Sequence, residues 1–161
     1  MEIRVADFGK LSKYYKTYAD GRKEINQMRD GYLLKLDPMR KEMETIINSQ
    51  TSTLIVDPQI QQQRYQRFQQ LQSEAMEIDG EFKHQMNEMR QALTKKTYDE
   101  LQKIIEVWSI KNGIDIVTGK MEVVYLNEKY DITDIILEVI KQQGLYVEFV
   151  EETEEKEKES V

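Results

Sequence analysis

The side chains that could carry out catalysis or bind a metal are few and scattered. His84 is the single histidine, and the absence of cysteine excludes thiolate chemistry and cysteine-ligated zinc. The carboxylate pairs Glu77/Glu81 and Asp99/Glu100 are typical of the solvated flank of a helix. No nucleophile–base set, phosphate loop or metal-ligand spacing occurs. The sequence therefore predicts a protein that is not an enzyme and uses no metal or other cofactor.

The charge distribution argues against a nucleic acid as partner. The 161 residues carry a formal net charge of −7. Residues 148–161 hold seven acidic side chains and two lysines, a net charge of −5, so the preceding 147 residues carry only −2. No basic stretch is present that would neutralise phosphates. Residues 151–161 have almost nothing to bury, and we expect them to form a disordered acidic tail.

The middle of the chain has the pattern of two long helices. Glycine and proline are scarce, at seven and two residues. Apolar residues recur seven positions apart, as in a coiled coil, at Ile25, Tyr32, Met39 and Ile46. Pro38 lies within this stripe, and we expect it to bend the helix rather than end it, because the stripe keeps its phase across it.

A second and longer helix follows a break. Residues 48–58 are poor helix formers, and Asp57-Pro58 is a typical helix start. Three- and four-residue apolar spacing then continues to Asn112-Gly113, a typical helix end. Only another helix can cover so long a stripe, so we predict an antiparallel coiled-coil hairpin over residues 20–112 with its tip near residues 48–58.

Strand-like segments flank the hairpin from outside. Residues 2–8 alternate apolar and polar side chains and predict a strand, followed by a short helix that ends near Gly21. Ile114 to Val117 predicts a second strand, and Gly119-Lys120 would turn the chain into a returning strand over Glu122 to Tyr125.

A last helix and another strand-like run close the predicted body. Thr133, or alternatively Asp131, is expected to cap the helix, and Gly144 to end it. Residues 145–150 alternate again and are consistent with one more strand. The prediction is an α+β fold, mainly α, with a small β-body made of residues 1–19 and 113–150.

With this order of elements, the sequence resembles the Skp/OmpH family of periplasmic chaperones. The segments that carry the resemblance are EIRVADFGKL, residues 2–11, and GIDIVTGKMEVVYLNEKYDITDIILEVIKQ, residues 113–142. The resemblance implies a homotrimer whose bodies associate and whose arms enclose unfolded outer membrane proteins without ATP. It also implies the periplasm. Residues 1–5 lack the basic start and apolar middle of a signal peptide, so either the protein works where it is made, which leaves the cytoplasm open, or a signal has been removed.

The chain departs from this family in three ways. Skp proteins are often basic with basic arm tips, whereas here no lysine or arginine occurs between Ile47 and Gln63. That tip carries Leu54, Ile55 and Val56 instead, and the chain continues past the usual end of the family. These departures do not favour attraction to a membrane surface, and they leave the clamp architecture intact.

The expected functional residues form three groups, and the first two also have plainer explanations. Client contacts are expected at five apolar residues: Leu54, Ile55, Val56, Met39 and Met43. By resemblance, an oligomerisation interface is expected among six strand residues: Ile3, Val5, Ile114, Ile116, Val123 and Tyr125. Pro38 is expected to be the arm hinge. The tip trio could instead fold back on the coiled coil, the methionines could pack in it, and the strand residues could be monomer core.

Two other functions agree with the same pattern. A coiled-coil adaptor or scaffold would dock one specific partner through the hairpin tip and would not suppress general aggregation. A prefoldin-like chaperone also has helical hairpins, but it places its β-hairpins at the turn between the helices. The strands predicted here lie outside the hairpin, which favours the Skp/OmpH arrangement.

Overall fold

The computed structural model describes residues 1–51 and 57–149, and it divides into two compact units. The body unit comprises Met1–Lys23 and the chain from Gln91 onward, and the hairpin unit comprises Glu24–Arg90. The predicted tip trio and the predicted disordered tail both lie outside the described residues.

The secondary structure is mainly helical, with one small sheet. The elements in chain order are β1 (Ile3–Ala6), α1 (Phe8–Lys13), α2 (Lys16–Thr51), α3 (Pro58–Asn112), β2 (Ile116–Gly119), the 3₁₀ turns Lys120–Glu122 and Glu128–Tyr130, and α4 (Thr133–Gln142). This composition confirms the predicted α+β class with its small sheet and long helices.

The sheet of the body unit is parallel and pairs the start of the chain with the residues that follow α3. β1 and β2 align in register from Ile3 opposite Ile116 to Ala6 opposite Gly119. The backbone carbonyl of Glu2 accepts hydrogen bonds from the amides of Asp115 and Ile116, at 3.0 and 3.2 Å. Strands that are parallel need a long crossover, and here α2 and α3 supply it.

The predicted β-hairpin between residues 114 and 125 is wrong. Only its first half becomes a strand, and that strand pairs with β1. After Gly119 the chain enters a 3₁₀ turn, so Glu122 to Tyr125 has no strand partner among the described residues. The alternation of apolar residues around Ile116 does indicate a strand. Its partner β1, however, lies more than a hundred residues earlier in the chain, and a local pattern cannot identify so distant a partner.

The core of the body unit lies beneath this sheet. Its buried residues come from β1, α1, α3 and α4, with Tyr15 between α1 and α2 and Ile132 directly before α4: Ala6, Leu11, Tyr15, Leu101, Ile105, Ile132, Ile136 and Ile140. α4 begins at Thr133 with Ile132 at its N-cap position, and the carboxylate of Asp131, one residue before the cap, accepts the backbone N–H of Thr133 at 2.9 Å. The Thr133 hydroxyl accepts the amide of Asp7 at 2.9 Å, so Thr133 links the end of β1 to α4 rather than capping that helix.

The first helix breaks earlier than the sequence predicts. α1 ends at Lys13 and α2 begins at Lys16, so the break falls at Tyr14 and Tyr15 and α2 continues through Gly21. Gly21 serves close packing instead of termination. A Cβ added there would lie 2.3 Å from Cδ1 of Leu93 on α3.

Polar contacts between the two helices of the hairpin unit identify them as antiparallel. Tyr32 on α2 contacts Asp79 on α3, and Glu42, further along α2, contacts Arg67, which comes earlier on α3. α2 runs through Pro38 without ending, as the unbroken apolar stripe predicts.

Two predicted helix ends are confirmed. The Asp57 carboxylate accepts the amide of Gln59 at 2.9 Å and caps α3, which begins at Pro58. α3 ends at Asn112, and Gly113 follows with a positive φ of 66°.

Replacing the helical glycines one at a time separates close packing from backbone freedom. Gly21→Ala is expected to lower the free energy of unfolding by about 1–3 kcal/mol, because Leu93 must leave its position. Urea titrations at fixed protein concentration measure the change.

Gly31→Ala and Gly80→Ala are the matched controls. Both glycines are helical, and an added Cβ would meet nothing within 4 Å. Each is expected to raise the free energy of unfolding by about 0.5–1 kcal/mol through the better helix propensity of alanine. An equal gain at Gly21 would contradict the close approach of the two helices there.

Candidate functional surfaces

The inner face of the hairpin unit contains one polar cluster within an aromatic contact. The rings of Tyr32 and Phe82 are stacked with centroids 3.9 Å apart. The Tyr32 hydroxyl donates to Asp79 Oδ1 at 2.6 Å, and Lys83 Nζ lies 2.7 Å from Asp79 Oδ2. A hydroxyl that bonds a carboxylate beside a stacked ring pair fixes one position of α2 against one position of α3.

The environment of this cluster shifts the pKa values of Tyr32 and Asp79 further away from neutral pH. Burial, together with the hydrogen bond to Asp79 and its charge, raises the pKa of Tyr32 to about 12. Hydrogen bonds from Lys83 and Tyr32 lower the pKa of Asp79. The tyrosine stays neutral and the carboxylate stays charged over the physiological range.

A second cross-helix contact lies nearer the tip. Arg67 Nε is 2.7 Å from Glu42 Oε1, and Arg67 Nη2 is 3.0 Å from Glu42 Oε2. The two side chains thus form a bidentate ion pair. The hydrogen bonds from Arg67 lower the pKa of Glu42. Both side chains are partly exposed, so the pair contributes more to alignment of the helices than to stability.

The predicted client-binding methionines are neither fully buried nor fully exposed. Met39 and Met43 are half-buried on α2, and Pro38 is exposed. Met86 on α3, by contrast, is buried in the hairpin. The client role of Met39 and Met43, and the hinge role of Pro38, therefore stay predictions.

Several large apolar side chains of the hairpin unit lie off the packed stripe and are exposed. They are Leu33, Leu34, Ile47, Ile60, Tyr65 and Met76. Tyr65 and Met76 are eleven residues apart, which is about three helical turns, so both occur on one face of α3. Sequence analysis missed Tyr65, although its position outside the heptad stripe is the signal that would have revealed it.

The six residues expected at an oligomer interface fall into three environments. Val5 is buried within the monomer, and Ile114 and Val123 are half-buried. Ile3 and Ile116 are neighbours across the sheet and are both exposed, at 41 and 44%. Val5 thus contributes to the monomer, while Ile3 and Ile116 form a small apolar area on the outer face of the sheet.

The segment that follows β2 is the most exposed apolar part of the body unit. Met121 is 98% exposed, Val124 is fully exposed and Tyr125 is 81% exposed. Sequence analysis selected Tyr125 and did not select Val124. Three large apolar side chains within five residues have almost no contacts inside the monomer, which is unusual for a segment in a folded domain.

Polar contacts occur at the start of this exposed segment and in the turn that follows it. Lys120 Nζ lies 3.0 Å from Asp131 Oδ2, and the Asn127 side chain accepts the amide of Lys129 at 3.2 Å. Partial burial raises the pKa of Asp131, but hydrogen bonds from Thr133 and Lys120 outweigh it and lower that pKa overall. The segment is therefore tied to Asp131 at its start and uncovered in the middle.

The described residues contain no arrangement that suits metal chemistry. Among them, no three histidine, aspartate or glutamate side chains come together as metal ligands. His84 lies on α3, 3.5 Å from Glu88 one turn later. No helix within the described part of the chain has the length and apolarity to cross a bilayer.

The Tyr32 hydroxyl gives the hairpin a specific dependence on alkaline pH. The raised pKa means that its stabilising effect is present below the unfolded tyrosine pKa, about 10, and is lost as pH rises towards about 12. Tyr32→Phe keeps the ring stack and removes the hydrogen bond. We expect the free energy of unfolding of wild type to exceed that of Tyr32→Phe by about 1 kcal/mol at pH 7. This difference should shrink above pH ~10.

Thermal and urea unfolding at a series of pH values measure this difference. Tyr65→Phe is the control, because Tyr65 is exposed on the same hairpin and its hydroxyl accepts a hydrogen bond from Gln69 of its own helix at 2.8 Å, not from α2. A wild-type advantage over Tyr32→Phe that stayed constant to pH 12 would show that the hydroxyl is not the titrating group.

The comparisons with known proteins agree with this architecture. The family described as outer membrane protein (OmpH-like) matches residues 2–140, which is most of the chain. No curated protein matches it. The family comprises chaperones and not enzymes, and its members are typically periplasmic. The match spans both strands, the whole hairpin and α4 up to Ile140. The chain therefore belongs to the OmpH-like, or Skp/OmpH, family, and its general role is of the chaperone type.

Proposed function

We propose that this protein is an ATP-independent holdase of the periplasm. Three copies associate through their body units, and unfolded clients of the outer-membrane-protein kind are held between the hairpin arms. The observation that carries the proposal is the presence of uncovered apolar side chains in two separate regions. One region, around Tyr125, suits self-association, and the other, on the hairpin, suits weak contacts with varied clients.

The sheet of the body unit offers a place for self-association. The inner edge of β2 pairs with β1, and its outer edge has no partner among the described residues. Glu122 to Tyr125 has a strand-like sequence and likewise no strand partner. If one copy paired its residues 122–125 with the open edge of β2 in a second copy, the segment and the edge would each gain a hydrogen-bonding partner. The pairing would also cover Val124. The number three comes from the family resemblance.

The hairpin offers many small apolar contacts rather than one pocket. Exposed residues such as Leu34, Tyr65 and Met76 are separated by charged and polar side chains. Each contact alone is weak, but arms from several copies that engage one unfolded chain raise the effective concentration of every further contact. Such binding favours extended, unfolded polypeptides and needs no ATP.

Assembly is testable by changing the uncovered residues of the body unit. Val124→Asp combined with Tyr125→Asp is expected to dissociate the protein, because a charge on each would be buried without a partner in the interface. Light scattering should give a mass near three times 19.2 kDa for wild type and a markedly smaller mass for the double variant.

Tyr65→Asp provides the control for this experiment. Tyr65 is an exposed aromatic residue of the hairpin unit, so its change places a new negative charge outside the proposed interface. Its mass should equal that of wild type. A monomeric wild-type protein, or a double variant that keeps the wild-type mass, would contradict assembly through residues 122–125.

Client binding is testable by making the hairpin less apolar. Tyr65→Ser with Met76→Ser should weaken protection of a urea-unfolded β-barrel protein against proteinase by several-fold. The separate variant Leu54→Ser, Ile55→Ser, Val56→Ser tests the predicted tip contacts in the same assay. Both variants should retain the wild-type mass, because neither changes the body unit.

Exposed glutamines of the same helix supply the control. Gln62→Ser with Gln72→Ser changes side-chain size on α3 without removing apolar surface, and protection should remain at the wild-type level. Failure of the wild-type trimer to protect any unfolded client at equal stoichiometry would contradict the holdase proposal. Tight binding of one folded partner would then favour an adaptor.

A further inference from the structure

The junction between α1 and α2 leaves backbone groups that neither helix can satisfy. Lys16 is the first residue of α2, so its N–H has no carbonyl one turn earlier within the helix. The carbonyl of Ser12, the nearest candidate, already accepts the amide of Tyr15 at 3.1 Å. The Tyr14 carbonyl lies at the same break. A chain that interrupts its helix here needs hydrogen-bond partners from elsewhere.

Residues 145–149, which follow α4, supply those partners. The Lys16 amide donates to the carbonyl of Leu145 at 2.8 Å, and the Val147 amide donates to the carbonyl of Tyr14 at 2.9 Å. Tyr15 and Tyr146 form an isolated antiparallel bridge between the two segments. Of the predicted strand over residues 145–150, residues 145–149 form an extended segment that pairs with a helix break and not with the sheet, and Val150 lies outside the described residues.

Aromatic contacts reinforce the pairing. The Tyr146 ring stacks on Tyr14, with centroids 5.5 Å apart and planes 3° from parallel. Lys141 Nζ lies 4.7 Å from the Tyr146 centroid. Leu145 and Tyr146 also pack against the core of the body unit. The segment thus binds through side chains as well as through its backbone.

Phe149 contacts both helices at once. Its ring centroid lies 5.6 Å from Nζ of Lys13, the last residue of α1, and 5.3 Å from Cζ of Arg22, in the second turn of α2. A single aromatic ring held by one cation from each helix connects the two across their break.

We propose that Leu145–Phe149 is an intramolecular strap, and that the α1–α2 junction is a docking groove for an extended, aromatic peptide segment of this kind. The strap fixes the direction in which the first turns of α2, residues 16–23, leave α1. It lies beyond the residues that the family match covers, which end at 140. The proposal does not depend on the holdase function.

The strap is built to open locally. It is short, it follows a glycine with positive φ at Gly144, and the exposed Glu148 shows that it is not enclosed by the core. Release breaks two backbone hydrogen bonds and the ring contacts, and leaves β1, β2 and the buried face of α4 in place. Local opening of this size occurs without global unfolding.

Amide hydrogen exchange in the full chain and in two truncations tests the strap. In a chain that ends at Gly144, the Lys16 amide should exchange about tenfold faster or more, because its acceptor is gone. A chain that ends at Val150 keeps the strap and should exchange like the full chain. The amide of Ile132, which donates to Val5 at 2.9 Å, reports on the body unit and should not change.

A peptide with the sequence of residues 145–150 tests the groove directly. Added to the chain that ends at Gly144, it should restore slow exchange at Lys16 in a saturable manner. A peptide with Tyr146 and Phe149 both replaced by serine should not.

Point variants of the full chain guard against a truncation that fails to fold. Phe149→Ser should speed exchange at Lys16 and Val147 several-fold, whereas Glu148→Ser, an exposed neighbour on the same segment, should leave both unchanged. Unchanged exchange at Lys16 in the Gly144 truncation would overturn the proposal. Equal loss of protection at Ile132 would also overturn it, since the segment would then be part of the body core.

Discussion

The parallel pairing of β1 with β2 is the interaction on which the body unit depends. It joins Ile3 to Ile116, and it forms only after the chain has run out along α2 and back along α3. Closing a loop of that length has an entropic cost that local contacts do not offset. The core beneath the sheet therefore has to form together with it, and Ala6 on β1 and Val117 on β2 both contribute to that core. The hairpin is in this sense the crossover connection of a two-stranded parallel sheet.

The two edges of this sheet are treated differently. The outer edge of β1 is covered, because the Val5 carbonyl accepts the amide of Ile132, and Thr133 joins Asp7 to Asp131 alongside it. The outer edge of β2 has no such cover within the described residues, and the strand-like residues 122–125 next to it have no partner. An uncovered sheet edge beside an exposed, strand-like segment is a liability in a monomer. Both become compatible with stability when a second copy supplies what each lacks.

Sequence reasoning succeeded where a local signal decides the structure. Asp57-Pro58 starts α3 because a capping carboxylate and a proline need only their own neighbours, and Gly113 ends it for the same reason. It failed where a distant contact decides. The sequence predicts that a helix ends near Gly21, but the close approach of Leu93 accounts for the glycine at that position. The helix breaks at Tyr14 instead, where residues 145–149 supply hydrogen-bond partners to the backbone. Among the candidate interface residues, Ile3, Ile116 and Tyr125 could be selected from the alternating patterns of the predicted strands. The exposure of Val124 could not, because the same pattern predicted a strand partner for residues 122–125 that the structure does not have among the described residues.

The polar contacts within the hairpin follow from its narrow apolar stripe. A heptad stripe allows antiparallel helices to slip by a repeat with little loss of apolar contact, so it specifies register poorly. The Tyr32–Asp79 and Glu42–Arg67 contacts remove that freedom, because a shifted helix would leave a half-buried hydroxyl and a carboxylate without their partners. A fixed register in turn fixes which apolar residues stay off the stripe. Tyr65 and Met76 then remain available on one face of α3 rather than exchanging places with the packed residues. The polar contacts thus align the two helices in addition to the apolar packing, and the exposure of Tyr65 and Met76 is compatible with that fixed alignment.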